Sequence, residues 1–197
     1  MKKPLFTNNL QTVINQTIDT MANFKLAFEK VLRHEGGYVH DVVDLGGETY
    51  KGIARNIHPR WTGWAIIDTF KRLPNFPQNI ISGKELDLKV EDFYRQNFWN
   101  PIKGDQIENQ QIAESLFDFC VNAGVRTGVA IAQGVLEVST DGVVGPITLG
   151  RLNTINADLF LAAYTLGKIA RYIHLVKTRP ANSKFFYGWI RRAMGDI

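Results

Sequence analysis

Apolar residues begin to recur at helical spacing at residue 24. Phe24, Ala27, Phe28, Val31 and Leu32 fall at i, i+3, i+4, i+7 and i+8, which defines one apolar helix face. Asn23 suits the N-cap, and Gly36-Gly37 supplies the left-handed residue that ends a helix. Residues 1–22 are polar and weakly patterned, and are expected to form an N-terminal arm. From Tyr38 to Ala54 the texture changes: short β-branched pieces alternate with Asp and Gly-Gly turns, which predicts a small β-hairpin or structured loop over residues 38–54. Pro59, Gly63, Pro74, Pro77 and Gly83 leave room only for short helical pieces between 56 and 82.

Helical patterns dominate the remainder. Leu86, Val90, Phe93, Tyr94 and then Phe98-Trp99 predict a helix ended by Pro101. Helices follow over 110–122 and 126–138, the latter with Val129, Ala132, Val135 and Leu136 inward. Asp141-Gly142 reads as a turn, and Gly145-Pro146 opens a short helix with proline at its first position. Asn156 caps a long helix to about Lys177, and Ser183 is expected to cap the last one. The fold class is therefore mostly α, a helical globule with one β-like insertion.

Composition narrows the functional classes. The chain has 197 residues, 45% of them hydrophobic, enough for a substantial core. A net charge of +4 and a pI near 9.2 suit an anionic partner, whether a cell-wall polymer, a membrane surface or nucleic acid, and equally an ordinary basic surface. The basic residues form no stripe, which argues against nucleic acid. The single cysteine, Cys120, cannot close an internal disulfide and sits in an apolar run, as a packed core thiol does. Four scattered histidines give no zinc-type cluster, so neither a metal nor a cofactor is expected. No apolar run is long enough to predict an integral membrane segment. After Met1-Lys2-Lys3 the apolar stretch of a signal peptide is broken by Thr7-Asn8-Asn9, so no clear signal peptide is read and the export route stays open.

Glu35 continues the apolar series 24, 27, 28, 31, 32. A carboxyl group on the core-facing side of a helix end is expected to hold its proton to higher pH, because burial penalises the charged form. Glycosidic cleavage requires such an acid to protonate the leaving oxygen. On position alone, a glutamate exposed at a frayed helix end fits as well. Asp41 and Asp44 offer a second carboxylate, although aspartate beside Gly-rich stretches is also ordinary turn chemistry. Among the aromatics Tyr38, Trp61, Trp64 and Trp99, Tyr38 is favoured to line a cleft because it neighbours Glu35. The others are expected in the core.

The run His34-Glu35-Gly36-Gly37-Tyr38, with Asp41, Asp44, Gly46-Gly47, Thr49 and Lys51-Gly52-Ile53, resembles the signature of the glycoside hydrolase family 108 N-acetylmuramidases, lysozyme-like proteins also called secretion activators. Phe98-Trp99-Asn100-Pro101, Phe117 to Gly124, Asp141 to Thr148, and Lys184-Phe185 with Gly188-Trp189 resemble further family segments in order. The resemblance spans roughly residues 24–195. It implies a lysozyme-like fold, cleavage of the β-1,4 bond after N-acetylmuramic acid, and Glu35 as the general acid. The set Glu35, Asp44, Thr49 is also similar to the Glu-Asp-Thr set of phage-type lysozymes, whose Asp and Thr hold the attacking water; the Asp-to-Thr gap there is slightly longer. Tyr38, Asp41 and Asn122 are the expected substrate-binding residues. The family usually has proline at the positions of Val42 and Leu45 and often asparagine at that of Tyr50, so the loop carrying Asp41 and Asp44 is expected to be differently shaped.

The resulting layout is an arm over 1–22, a lysozyme-like catalytic region over 23–108, and a helical peptidoglycan-binding-like region over 109–197 packed with it into one compact unit. The Asp141-to-Thr148 segment belongs either to glycan binding or simply to a capped helix entry. The expected partner is bacterial peptidoglycan, met by a monomer at the cell envelope, in the periplasm or wall. A lytic transglycosylase, which needs a single glutamate and no held water, and a non-catalytic wall-binding or secretion-assisting protein on the same scaffold remain alternatives.

Overall fold

The computed structural model describes residues 21–33, 36–40, 47–80 and 84–195. Glu35, Asp41 and Asp44, and all but the last two residues of the expected N-terminal arm, lie outside them. The described residues divide into two units, 24–97 and 98–195, the second joined by 21–23.

The first unit opens with α1 (Phe24–Leu32), whose face Phe24, Ala27, Phe28 and Val31 is buried as the spacing predicts. Phe24 stacks on Phe28 at 5.3 Å between ring centroids, and Phe28 meets Tyr94 at 5.6 Å. The 38–54 insertion is a three-stranded antiparallel sheet ordered β1 (Tyr38–His40), β2 (Glu48–Tyr50), β3 (Ile53–Ala54). Tyr38 lies opposite Tyr50, Val39 opposite Thr49 and His40 opposite Glu48. β2 returns to β3 through Lys51-Gly52, both with positive φ (43° and 77°), the backbone of the tightest hairpin turns. A lysine is held there by three contacts. Its N–H donates to the Gly37 carbonyl, its carbonyl accepts from the Tyr94 hydroxyl at 2.9 Å, and its ammonium pairs with Asp87 at 2.8 Å.

Two helices back the sheet's unit: α2 (Gly63–Phe70), which buries Trp64 and Ile67, and α3 (Lys84–Tyr94), which buries Leu86, Val90, Phe93 and Tyr94. α3 continues as a π-helical turn over Arg95–Trp99. The predicted helix up to Pro101 is thus present but changes its winding, and the apolar pattern alone does not register one extra residue per turn. Trp99 is fully buried. Its indole N–H donates to Asp105 at 2.8 Å, and its ring lies where a side chain on Gly104 would stand, 2.2 Å from an added Cβ.

The second unit is a helical bundle. α4 (Gln110–Ala123) is capped by the Asn109 side chain, which accepts from the Ile112 N–H at 3.0 Å. After Gly124, α5 (Val125–Val135) runs back against it. It stops three residues short of the predicted end, with Glu137 in the left-handed region at φ 56°. α6 (Pro146–Thr154) starts on its proline, and α7 (Ala157–Thr178) is capped by Asn156, both as predicted. Ser183 is the first residue of α8 (Ser183–Ala193) rather than its cap: a 3-10 turn over Pro180–Asn182 leads in, and the Ser183 hydroxyl donates back to the Pro180 carbonyl. α7 packs on α4, α5 and α8. Gly128 makes the close approach of α5 to α4 possible, since a Cβ there would lie 2.5 Å from the Cys120 sulfur. Cys120 is fully buried and its thiol is pushed up to about 12, which makes it the core thiol anticipated above. No described helix is long and apolar enough to cross a membrane.

One charged residue is buried in the core. Lys168 on α7 is buried, donates to the Ser115 hydroxyl at 2.7 Å and stands 4.7 Å over the Tyr164 ring. Burial lowers its ammonium from 10.5 to about 8. An unfolded lysine therefore binds more protons than the folded one between these values, and the contribution of Lys168 to stability rises with pH across that window. The buried Cys120 thiol, pushed up to about 12, acts in the opposite sense over the same range, so the effect is read against Lys168→Met, which keeps that thiol. Parent minus variant stability should rise by about 2 kcal/mol from pH 8 to pH 10 in urea melts, since each tenfold change in proton affinity is worth about 1.4 kcal/mol; a constant difference would place the effect elsewhere.

Candidate functional site

In the sheet, side chains of directly opposed residues share a face and alternate along each strand. Val39 and Thr49 therefore stand on one face, with Ala54 across from Thr49 on β3. Val39 is 56% exposed, and Thr49 and Ala54 are half-buried, so this face is the open one. Thr49 thus stands on the accessible face of β2, five residues after Asp44 in the sequence.

Tyr38 and Glu48 share the opposite, inner face with Tyr50. The Tyr38 hydroxyl donates to Glu48 at 3.0 Å, and its ring meets Phe76 edge-on at 4.6 Å. Desolvation raises the Tyr38 phenol above its usual value. Tyr38 is therefore engaged with the unit's own side chains, which leaves only its half-buried edge for a ligand.

Glu48 is the hub of a charged cluster that the pattern of the sequence did not signal. Its side chain is only 13% exposed, and it faces Lys71 on one oxygen and Arg55 Nε at 2.7 Å on the other, paired by charge without hydrogen-bond alignment. Arg55 also reaches Asp68 at 2.6 Å, and its guanidinium lies 4.6 Å over the Trp64 ring. Desolvation lowers the Lys71 ammonium. A buried carboxylate is tolerable only with such partners, and the cluster braces the sheet against α2. The partners lie 7 to 23 residues away from Glu48, a separation no local motif encodes.

Asn122, expected to bind substrate, lies on α4 in the other unit, where its side-chain oxygen accepts from the Tyr172 hydroxyl at 2.8 Å. Trp64 and Trp99 are buried, as core aromatics should be, and Trp61 is half-buried. The Asp141-to-Thr148 segment is knitted together by the buried Gln133. The Gln133 amide donates to Asp141 at 2.7 Å, to the Val143 carbonyl at 3.0 Å and to the Thr148 hydroxyl at 3.2 Å, and its oxygen accepts the Gly142 N–H at 2.8 Å. Asp141 and Thr148 are thus engaged internally, as in a capped helix entry. Among the described residues, no group of three or more His, Cys, Asp or Glu could hold a metal ion.

A mostly helical chain with one small three-stranded antiparallel sheet defines the class as mostly α and lysozyme-like. Residues 28–124 match the family model Glycosyl hydrolase 108, and residues 127–194 match that of a Predicted Peptidoglycan domain. The chain thus carries a glycosyl hydrolase 108 region followed by a peptidoglycan-type domain. Among solved structures, one titled "Structure of Brucella abortus SagA" is 27% identical with a TM-score of 0.63, covering 87% of this chain and 89% of that one. No curated protein matches the chain.

Proposed function

We propose that the protein is an N-acetylmuramidase that hydrolyses the β-1,4 bond between N-acetylmuramic acid and N-acetylglucosamine in bacterial peptidoglycan. Glu35 acts as general acid, and Asp44 with Thr49 holds the attacking water. The observation that carries this reading is Thr49 on the open face of β2, inside a glycosyl hydrolase match and five residues after Asp44, a gap slightly shorter than that of the phage-type Glu-Asp-Thr set. Tyr38, Asp41 and Asn122 are proposed to contribute to substrate binding. The peptidoglycan-type domain supports a partner in the wall, where the protein would act as a monomer at the cell envelope.

Mass spectrometry of the products from purified sacculi tests the reading. A reducing muramic end is expected. An anhydro end would replace hydrolysis by transglycosylation, and intact glycan would leave a binding protein. Asp44→Asn is expected to lower turnover more than Asp41→Asn, and a reversed order in the same assay would move the water-holding role to Asp41.

A further inference from the structure

The unit 24–97 contains a cavity of about 580 Å³, within the roughly 300–1,000 Å³ typical of small-molecule sites. Its walls come from two segments, the turn 56–62 after β3 and the end of α3 with the π-helical turn. The aromatic side is made by His58, Trp61 and Phe93, and the amide groups by Asn56, Gln96 and Asn97.

These walls are held in place before any ligand arrives. The Trp61 indole N–H donates to the Lys89 carbonyl at 3.2 Å, and the ring stacks on Tyr50 at 6.4 Å between centroids. Gly63 has no side chain where the indole lies; a Cβ there would sit 2.3 Å from the ring. The His58 ring stands edge-on to Phe93 at 4.7 Å, and its backbone carbonyl accepts from Trp64 at 2.9 Å. Burial lowers the His58 imidazole from its ordinary value, which keeps this wall uncharged at neutral pH. The π-helical turn places Gln96 and Asn97 at the cavity. Asn97 donates to the Phe93 carbonyl at 2.8 Å, and Gln96 donates to Asp92 at 2.8 Å. Winding defects of this kind recur at functional sites.

The chemistry of the lining selects a ligand class. Arg60 and Lys89 are offset in part by Asp92 in the lining, and Lys89 also faces Glu85 at 3.9 Å, which leaves little positive charge to trap an anion. The polar groups make a poor lipid pocket. Aromatic rings beside planar amides fit a pyranose, whose C–H face packs on a ring while its hydroxyls and acetamido group meet amide donors and acceptors. We propose that this cavity is a saccharide subsite that holds one N-acetylated amino-sugar residue of a glycan strand. The choice of ligand rests on the peptidoglycan reading above; the binding itself does not depend on cleavage.

The test uses the full chain carrying Glu35→Gln, titrated with the β-1,4 tetramer of N-acetylglucosamine and followed by amide NMR. Saturable shifts are expected at residues 56–62 and 92–97 and at the Trp61 indole N–H. Gln96→Ala, which removes an exposed side chain bonded only to Asp92, should weaken binding at least about fivefold with an unchanged spectrum elsewhere. A stem tetrapeptide of peptidoglycan should leave these residues still. The subsite is overturned if they do not shift, if only the peptide shifts them, or if Gln96→Ala binds as the parent does. Sacculus digestion by the parent protein separates this from the hydrolase reading. Uncut sacculi with a tetramer seated here would remove the hydrolase and keep the subsite; cut sacculi with a silent cavity would do the reverse.

Discussion

Replacing Glu35 by glutamine is expected to lower glycan cleavage by a factor of about 100 or more, the low end of what a positioned acid supplies. Glutamine matches glutamate in size and hydrogen-bonding reach but carries no proton that a departing alkoxide can take. The residues of the α1 face, Phe24, Ala27, Phe28 and Val31, precede it in the sequence and are buried, and Phe28 meets the ring of Tyr94. The substitution leaves that face untouched, so circular dichroism and the thermal midpoint should stay close to those of the parent. Product release from sacculi is the readout. A variant that keeps most of its activity would remove Glu35 from the acid's role and with it the muramidase mechanism.

The second large effect is expected on stability, from Gln133→Leu in the helical unit. The leucine fills similar space but leaves the buried Gly142 N–H and Thr148 hydroxyl without their partner. Stranded buried polar groups cost about 1–3 kcal/mol each, so a loss of about 3 kcal/mol is expected in urea melts at neutral pH. The pH dependence provides an independent check. The Gln133 amide, followed by the Val143 backbone N–H, holds the Asp141 carboxyl below its ordinary 3.8. A carboxylate with a lowered folded value adds stability above the unfolded value and loses it as pH falls through the folded one. The variant lacks the larger of these two causes, so the gap between parent and variant should narrow in melts taken below pH 4. A gap that stayed constant into acid would mean that Gln133 does not support Asp141.

Most helices were legible because each buries a stripe at a period of 3.6 residues. Phe24 to Val31, Leu86 to Tyr94 and Ile112 to Cys120 all turned their apolar positions inward. Caps were legible where the side chain acts on its own backbone, as at Asn156. Ser183 failed for the converse reason, since a preceding 3-10 turn had already started the helix. The sheet showed through its β-branched pieces as a small hairpin or structured loop, whereas its third strand and the Lys51-Gly52 turn leading to it did not. What the sequence hid depends on distant partners. Lys168 looks like a solvated position until Ser115 and Tyr164 close around it. Glu48 looks like an ordinary strand residue until Arg55 and Lys71 arrive. Of the candidate site, Thr49 and Tyr38 could be placed on opposite faces of one sheet, a distinction that strand alternation implies once the register is known. The cavity beside the π-helical turn had no sequence signal, because its two walls are some 30 residues apart.

The single thiol gives the helical unit a built-in clock. Cys120 is sealed beneath Gly128, with no surface of its own. A thiol reagent can reach it only when α4 and α5 part, and the burial that pushes the thiol up to about 12 is lifted by the same event. At low reagent the labelling rate of the native protein therefore measures the fraction of time the bundle is open, and at saturating reagent how often it opens. Because the chain has no other cysteine, every label incorporated reports on that one separation, and events confined to the sheet-bearing unit pass unrecorded.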